Sequence, residues 1–413
     1  MELLVQGKAQ LRGKVEISTS KNATLPILIA SLLSEDNIKI NRVPDINDVE
    51  IVKKLLQNLG SNLARNHEEL NIRSFISNIY PDYELVRQIR ASLLLMGPIL
   101  ATRRIVKISL PGGCAIGTRP IDLHLKGFEA LGARIKMRGG NVIAEARELR
   151  GNHIYLDFPS VGATENLMMA AALAEGTTYL ENAALEPEVV DLANFINCMG
   201  GSIHAAGSNL IKIEGRKKLH GCSYTPIPDR IEAGTYMVAA AATGGDMVVN
   251  NVVPEHLKAT TAKLAESGAQ VEEGDKWIRV RQFGPIRPIY LKTLPYPGFP
   301  TDMQAQFMAY LSHTVGSSII TESVFENRFM HAQELTRMGA NIKIEGRTAI
   351  VKGVTQMSGA SVKATDLRAG AALLIAGLMS EGSTCISNSH HIDRGYENIV
   401  DKLNAVGARI YRQ

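Results

Sequence analysis

The sequence predicts an α/β protein of two domains, each assembled from three βαβαββ units. Three observations carry that reading. A helix–turn–strand signature recurs six times along the 413 residues. Each copy also holds a second helical stretch that is apolar all the way round. Finally, the chain is too long for one ordinary hydrophobic core.

The signature is a helix ending in a small-residue turn that leads into a strand. It reads Leu59-Gly60-Ser61-Asn62-Leu63, Leu131-Gly132-Ala133-Arg134-Ile135 and Met199-Gly200-Gly201-Ser202-Ile203 in the first half. In the second half it reads Ser267-Gly268-Ala269-Gln270-Val271, Met338-Gly339-Ala340-Asn341-Ile342 and Val406-Gly407-Ala408-Arg409-Ile410. The six glycines are 72, 68, 68, 71 and 68 residues apart, a period that marks repeated supersecondary units. Glycine there suits the left-handed conformation that closes a helix. The second helices are expected near Lys21-Asn22, Arg90, Thr164-Glu165-Asn166, Arg230-Ile231-Glu232, Asp302-Met303-Gln304 and Asp366-Leu367-Arg368. Their bodies, such as LMMAAALA and AALLIAGLM, carry no polar face and belong in the middle of a domain. Amphipathic helices such as Val49–Leu59 and Tyr396–Val406 belong nearer the surface. The boundary between copies three and four falls at the proline-rich Tyr224-Thr225-Pro226-Ile227-Pro228. One domain is thus expected over 21–228, the other over 1–20 and 229–413.

Composition narrows the function classes. Lys and Arg number 45 against 41 Asp and Glu, a net charge of +4. That mild excess suits a small anionic substrate, and no basic block argues for nucleic acid. Four dispersed cysteines, Cys114, Cys198, Cys222 and Cys385, form no CxxC pair, which argues against zinc, a redox dithiol and a disulfide framework. Cys198 and Cys385 lie in apolar segments and are expected in the core, while Cys222 beside a glycine says little. The N-terminus lacks a signal-peptide core, and the apolar runs near 93–100 and 371–379 are too short for a bilayer. A cytoplasmic location is expected, with no membrane partner.

Chemistry concentrates in Pro111-Gly112-Gly113-Cys114-Ala115-Ile116-Gly117-Thr118-Arg119-Pro120. Glycines permit a sharp turn, and a guanidinium five residues on would favour the thiolate. The polar residues ahead of the apolar helices form a second group, because helix N-termini suit anions.

Seven segments, in order along the repeat, give these features a family. They are Ser20-Lys21-Asn22-Ala23, Arg90-Ala91-Ser92, the 111–120 loop, Ser160-Val161-Gly162-Ala163-Thr164, Pro300-Thr301-Asp302-Met303-Gln304-Ala305-Gln306, Phe325-Glu326-Asn327-Arg328-Phe329 and His391-Ile392-Asp393-Arg394-Gly395-Tyr396-Glu397. With them the chain resembles the UDP-N-acetylglucosamine 1-carboxyvinyltransferase family of enolpyruvyl transferases, from Val5 to Ile410. The resemblance implies two inside-out α/β barrel domains, each of three βαβαββ repeats. It implies transfer of enolpyruvyl from phosphoenolpyruvate to the 3-hydroxyl of UDP-N-acetylglucosamine, through a tetrahedral intermediate, in peptidoglycan synthesis. Neither cofactor nor metal is implied, since arginines and lysines can neutralise phosphate and carboxylate.

The residue roles come from that resemblance. Cys114 matches the loop cysteine that donates a proton to the enolpyruvyl carbon and that fosfomycin alkylates; the plainer reading is a small residue in a turn. Asp302 matches the base or orienting group for the sugar hydroxyl; the plainer reading is a helix N-cap. Lys21, Arg119 and Arg394 match cations around phosphoenolpyruvate, and Arg90 and Arg328 match partners nearby, on loop and substrate respectively; Arg368 is expected either to touch the cleft or to pair with a neighbouring acid. Surface charge is the ordinary fate of such residues, though here several occupy similar points of different copies. Asn22 matches a contact to the sugar, and Val324 matches another substrate contact. Arg119, Pro120, Ile121, Asp122 and Leu123, with Ser160, Val161 and Gly162, match the nucleotide side. Phe158 departs from the pattern, standing where some members carry lysine. Cys114 and Arg119 on one domain and Asp302 and Arg394 on the other imply closure on substrate. Two alternatives remain open: a transferase like 5-enolpyruvylshikimate-3-phosphate synthase, and a non-catalytic UDP-sugar-binding paralogue. The sequence leaves the oligomeric state open, a monomer being compatible with it.

Overall fold

The computed structural model describes residues 2–110, 117 and 120–413. Strand sequences place an apolar side chain at every second position, and the structure buries that set. In Glu2–Gln6, for example, Leu3 and Val5 are buried and their neighbours are not. The strands assemble into six separate open sheets, one for each sequence copy, among the described residues.

The chain divides into two compact units, one spanning 19–110 and 120–227, the other 2–18 with 228–413. In the first, the sheets run in the orders 223–224, 37–40, 69–73, 62–66; then 105–109, 141–145, 134–138; then 203–204, 210–214, 177–181, 153–155. In the second they run 270–273, 277–281, 246–250, 12–16; then 290–292, 317–321, 348–352, 341–345; then 361–363, 383–387, 2–6, 410–412. Each four-stranded sheet has one parallel pair and is otherwise antiparallel.

Two sheets of the second unit are completed by the N-terminal segment. Arg12–Glu16 lies parallel to Asp246–Asn250, and Glu2–Gln6 inserts antiparallel between 383–387 and 410–412, with Leu3 opposite Ile386 and Val5 opposite Ile410. Likewise Ser223–Tyr224, from the end of the third copy, supplies the parallel neighbour of Asn37–Ile40 in the first sheet.

The apolar helices are Lys21–Ala30, Met96–Arg103, Val161–Ala171, Arg230–Ala242, Gln304–Leu311 and Leu367–Met379. Their bodies are buried on all sides. In the second unit the last three pack on one another. Helices therefore fill the interior of a unit and sheets cover it. Among the described residues no helix is long and apolar enough to cross a membrane.

Three expectations about local structure change. The third apolar helix starts at Val161, not at Thr164, because Ser160 is extended and its hydroxyl accepts from the Ala163 N–H. In the second copy a 3₁₀ stretch, Arg90–Leu95, precedes the α-helix. That helix opens at Met96, which places Pro98 in the first turn, where a missing N–H costs little. Cys198 is exposed and Cys385 half-buried, so neither belongs to the core. Cys198 is the last residue of helix Pro187–Cys198, and Cys385 takes an outward position of Ser383–Ser387.

All six repeat glycines have positive φ, between 88° and 111°. At Gly60 an added Cβ would also lie 2.4 Å from the Phe75 carbonyl oxygen, whereas at Gly339 it would meet nothing within 4 Å. Gly339→Ala should therefore cost only the left-handed strain, about 1–2 kcal/mol. Gly60→Ala should cost more, because backbone must move as well. Urea unfolding of the two variants decides this, and equal midpoints would contradict it.

Candidate active site

In the unit of residues 2–18 and 228–413, polar groups gather at the start of the fifth apolar helix. Asp302 sits in the 3₁₀ turn Thr301–Met303 that leads into Gln304–Leu311. It does not cap the helix. Its carboxylate is held instead by two guanidiniums: Arg328 Nη2 donates to Oδ1 at 2.6 Å and Arg368 Nη2 to Oδ2 at 2.9 Å. Arg328 and Arg368 side chains are only 6% and 5% exposed, while Asp302 keeps 26%. The carboxylate is thus the wet end of a buried ionic cluster. Burial, the largest single effect, would lower the affinity of Arg368 for its proton, but Asp302, Tyr396 and Asp229 together outweigh it and the net shift is upward. Arg368 also lies over the Tyr396 ring and Arg328 over the Phe325 ring, at 5.4 and 5.2 Å.

Glu322, which sequence reasoning missed, anchors this cluster from beneath. It is 1% exposed. One oxygen accepts from the Thr293 hydroxyl (2.8 Å) and from the N–H groups of Val324 (2.9 Å) and Phe325 (3.1 Å). The other accepts from the Thr301 hydroxyl at 2.8 Å, and Thr301 in turn accepts from Arg328 Nη1 at 2.8 Å. Asp302, Val324, Arg328 and Arg368 are therefore brought together through Glu322 and Thr301. Arg394 is half-buried at the end of the 3₁₀ stretch Ser389–Arg394. His391 on that stretch is held below its ordinary value by burial, then by His390 and Arg394.

In the unit of residues 19–227, Lys21 is the first residue of its helix, with Ser20 as cap. Its ammonium lies 3.4 Å from Asp48, and both side chains are largely buried. Asn22 follows, half-buried. The nucleotide-side candidates occupy two neighbouring helix starts. Ile121, Asp122 and Leu123 open Asp122–Ala130, with Pro120 and Asp122 exposed, and Ser160, Val161 and Gly162 open Val161–Ala171. Phe158 is 48% exposed beside the second start.

Two further residues that the sequence did not single out, His124 and Asn166, join these starts to the Arg90 segment. The Asn166 Oδ1 accepts from the Gly97 N–H at 2.7 Å, which fixes Nδ2 as the donor. Nδ2 donates to the Leu93 carbonyl and to His124 Nδ1, both at 3.0 Å. His124 Nδ1 must then be an acceptor, so the ring is neutral with its proton on Nε2. Burial, followed by the Arg90 charge, agrees, pulling its pKa down to about 4. An added Cβ on Gly162 would touch this ring at 3.4 Å. In the other unit His331 is likewise held low by burial, Asp366 opposing and Arg328 assisting. Cys114 and Arg119 lie outside the described residues.

The fold is built of duplicated α/β units, with the candidate polar residues gathered at helix starts. The family model for EPSP synthase (3-phosphoshikimate 1-carboxyvinyltransferase) matches residues 5–403. UDP-N-acetylglucosamine 1-carboxyvinyltransferase 1 of Caldanaerobacter subterraneus subsp. tengcongensis is 54% identical, over 100% of this chain and 99% of its own. UDP-N-acetylglucosamine 1-carboxyvinyltransferase 2 of Carboxydothermus hydrogenoformans is also 54% identical, with the same coverage. Among solved structures, the enolpyruvyl transferase NikO from Streptomyces tendae superposes with a TM-score of 0.89 at 25% identity, covering 99% of this chain and 98% of its own. EPSP synthase from Acinetobacter baumannii shares the fold, with a TM-score of 0.80 at 19% identity and full coverage of both chains. The chain belongs to the carboxyvinyltransferase family, within its UDP-N-acetylglucosamine 1-carboxyvinyltransferase members.

Glu322→Gln tests the anchor. The amide would turn one acceptor into a donor facing hydroxyl or N–H donors. We expect a loss of about 1–3 kcal/mol in denaturant unfolding, the usual cost of leaving a buried polar group unpaired. An unchanged midpoint would contradict the assigned network.

Proposed function

We infer that this protein transfers the enolpyruvyl group of phosphoenolpyruvate to the 3-hydroxyl of UDP-N-acetylglucosamine and releases phosphate. Identity of 54% over the whole length of proteins that bear this activity as their name carries the inference. The product feeds peptidoglycan synthesis, and we place the reaction in the cytoplasm.

The chemistry needs two proton transfers in addition and the return of the carbon proton in elimination. In addition, the acceptor hydroxyl loses a proton, its oxygen bonds to the central carbon of the enol, and the methylene carbon gains a proton. In elimination the methyl carbon gives a proton back as the C–O bond to phosphate breaks, so net atoms balance as enolpyruvyl ether plus phosphate. One acid and one base can serve both halves. In our reading Cys114 delivers the carbon proton. Asp302 meets the sugar hydroxyl, its orientation fixed by Arg328 and Arg368, with Asn22 as a further sugar contact and Val324 as another substrate contact. Lys21, Arg119 and Arg394 neutralise phosphate and carboxylate, and Arg90 supports them. Pro120, Ile121, Asp122 and Leu123 and the turn Ser160, Val161 and Gly162 hold the nucleotide, where backbone N–H groups at a helix start suit a diphosphate.

Phosphate release from phosphoenolpyruvate is the direct assay. It should require UDP-N-acetylglucosamine and be absent with shikimate 3-phosphate; the reverse dependence, or release with neither, would overturn the reading. Cys114→Ser should abolish turnover while Cys114→Asp, which keeps an acid, retains part of it. Wild-type activity in Cys114→Ala would remove Cys114 from the mechanism.

A further inference from the structure

Two thiols meet at the surface of the unit formed by residues 19–227. Cys198 ends helix Pro187–Cys198 and is exposed, and half-buried Cys222 directly precedes Ser223–Tyr224, the strand that completes the first sheet. The Cys198 Sγ lies 3.8 Å from the carbonyl oxygen of Ser223, one residue beyond Cys222. Cys198 is close enough to act on the Cys222 thiol. Cys385, in contrast, contacts the Glu2 carboxylate in the other unit, at 3.2 Å.

The surroundings hold helix and strand together before any covalent bond exists. Tyr224 donates its hydroxyl proton to Asp191 Oδ1 at 2.6 Å, and the Ile227 N–H donates to Asp191 Oδ2 at 3.1 Å. Phe195 packs edge-on against Tyr224, with centroids 5.4 Å apart. Three contacts from one helix thus fix the strand beside which Cys222 sits. These contacts keep the end of the helix beside the Cys222 segment, so the two thiols stay neighbours.

We propose that Cys198 and Cys222 are an oxidisable dithiol, closing to an intramolecular disulfide when a low-molecular-weight disulfide is present. In the first step the exposed Cys198 thiolate attacks one sulfur of the reagent, forming a mixed disulfide and expelling one thiolate. In the second, the Cys222 thiolate attacks Cys198 Sγ, forming the Cys198–Cys222 bond and expelling the other. The two protein thiols are oxidised, the reagent is reduced to two thiols, and the two protein protons pass through solvent to them. Burial, then the neighbouring Cys198, pushes the Cys222 thiol up to about 12, so the second step sets the rate. The product staples the end of helix 187–198 to the segment that runs on to Ile227. By shrinking the unfolded ensemble it should raise the melting temperature by a few degrees, roughly 4 °C or more.

The test uses the full chain and oxidised glutathione. After alkylation and trypsin digestion, Cys198 and Cys222 fall on separate peptides, cut at Lys212, Arg216, Lys217 and Lys218, and Cys114 falls on a third. We expect a linked Cys198–Cys222 peptide, both thiols protected from alkylation together, and full reversal by a thiol reductant. Cys222→Ser should stop at glutathionylated Cys198 and lose the thermal shift. If wild-type protein instead accumulates glutathione on Cys198 while Cys222 stays alkylatable, or if neither thiol reacts, the proposal fails.

Discussion

The rest of the structure depends on one constraint: six helices with no polar face must be buried all round. Their bodies are mostly apolar, so the charged side chains of the candidate site gather at the ends. Four of the six starts use a side chain to satisfy the first N–H groups. Ser20 and Ser160 do so with hydroxyls, while Asp229 accepts from Ile231 and Glu232 and Asp366 from Arg368 and Ala369. The remaining two starts open with 3₁₀ turns that have no side-chain cap. Those turns carry Arg90 and Asp302. Where the cap is dispensed with, the side chain is released for another task, and at Asp302 that task is a carboxylate spanned by two guanidiniums.

Charge balance then shapes the neighbourhood. Two buried guanidiniums would be costly alone, and a shared carboxylate offsets part of that cost. Thr301 accepts a further Arg328 donor and donates to Glu322, which also ties Val324 and Phe325 into the same network. Histidines placed beside these arginines stay uncharged. His331 near Arg328 and His124 near Arg90 are both buried and held low, so neither adds positive charge. Because the unfolded chain would take up these protons near 6.5 and the folded protein only near 4, both histidines withdraw stability as pH falls through that window.

Much of the architecture was legible in the residues. The six-fold glycine period reported a backbone requirement, and positive φ at Gly60, Gly132, Gly200, Gly268, Gly339 and Gly407 meets it. Helix starts were legible where a hydroxyl or carboxylate stood ahead of an apolar run, although Ser160 opens its helix three residues before the expected point. Partners distant in sequence were not legible. Nothing local says that Glu2–Gln6 inserts between 383–387 and 410–412, because strand pairing is decided by burial in the whole unit. Glu322, His124 and Asn166 carry no spacing signal either; their roles come from buried donors that only the fold assembles. Cys198 was misplaced in the core because an apolar neighbourhood in sequence does not set which way the last residue of a helix points.

The proposed role of Asp302 is the claim on which the functional account turns, and its pH–rate profile tests that role most directly. Asp302→Asn keeps size and an acceptor but cannot take up a proton. Our account expects kcat to fall about 10²–10⁴-fold, the usual contribution of a positioned base, and the acidic limb of the kcat/KM profile to vanish. A wild-type acidic limb with only modest loss of rate would contradict it and leave Asp302 with an orienting role alone.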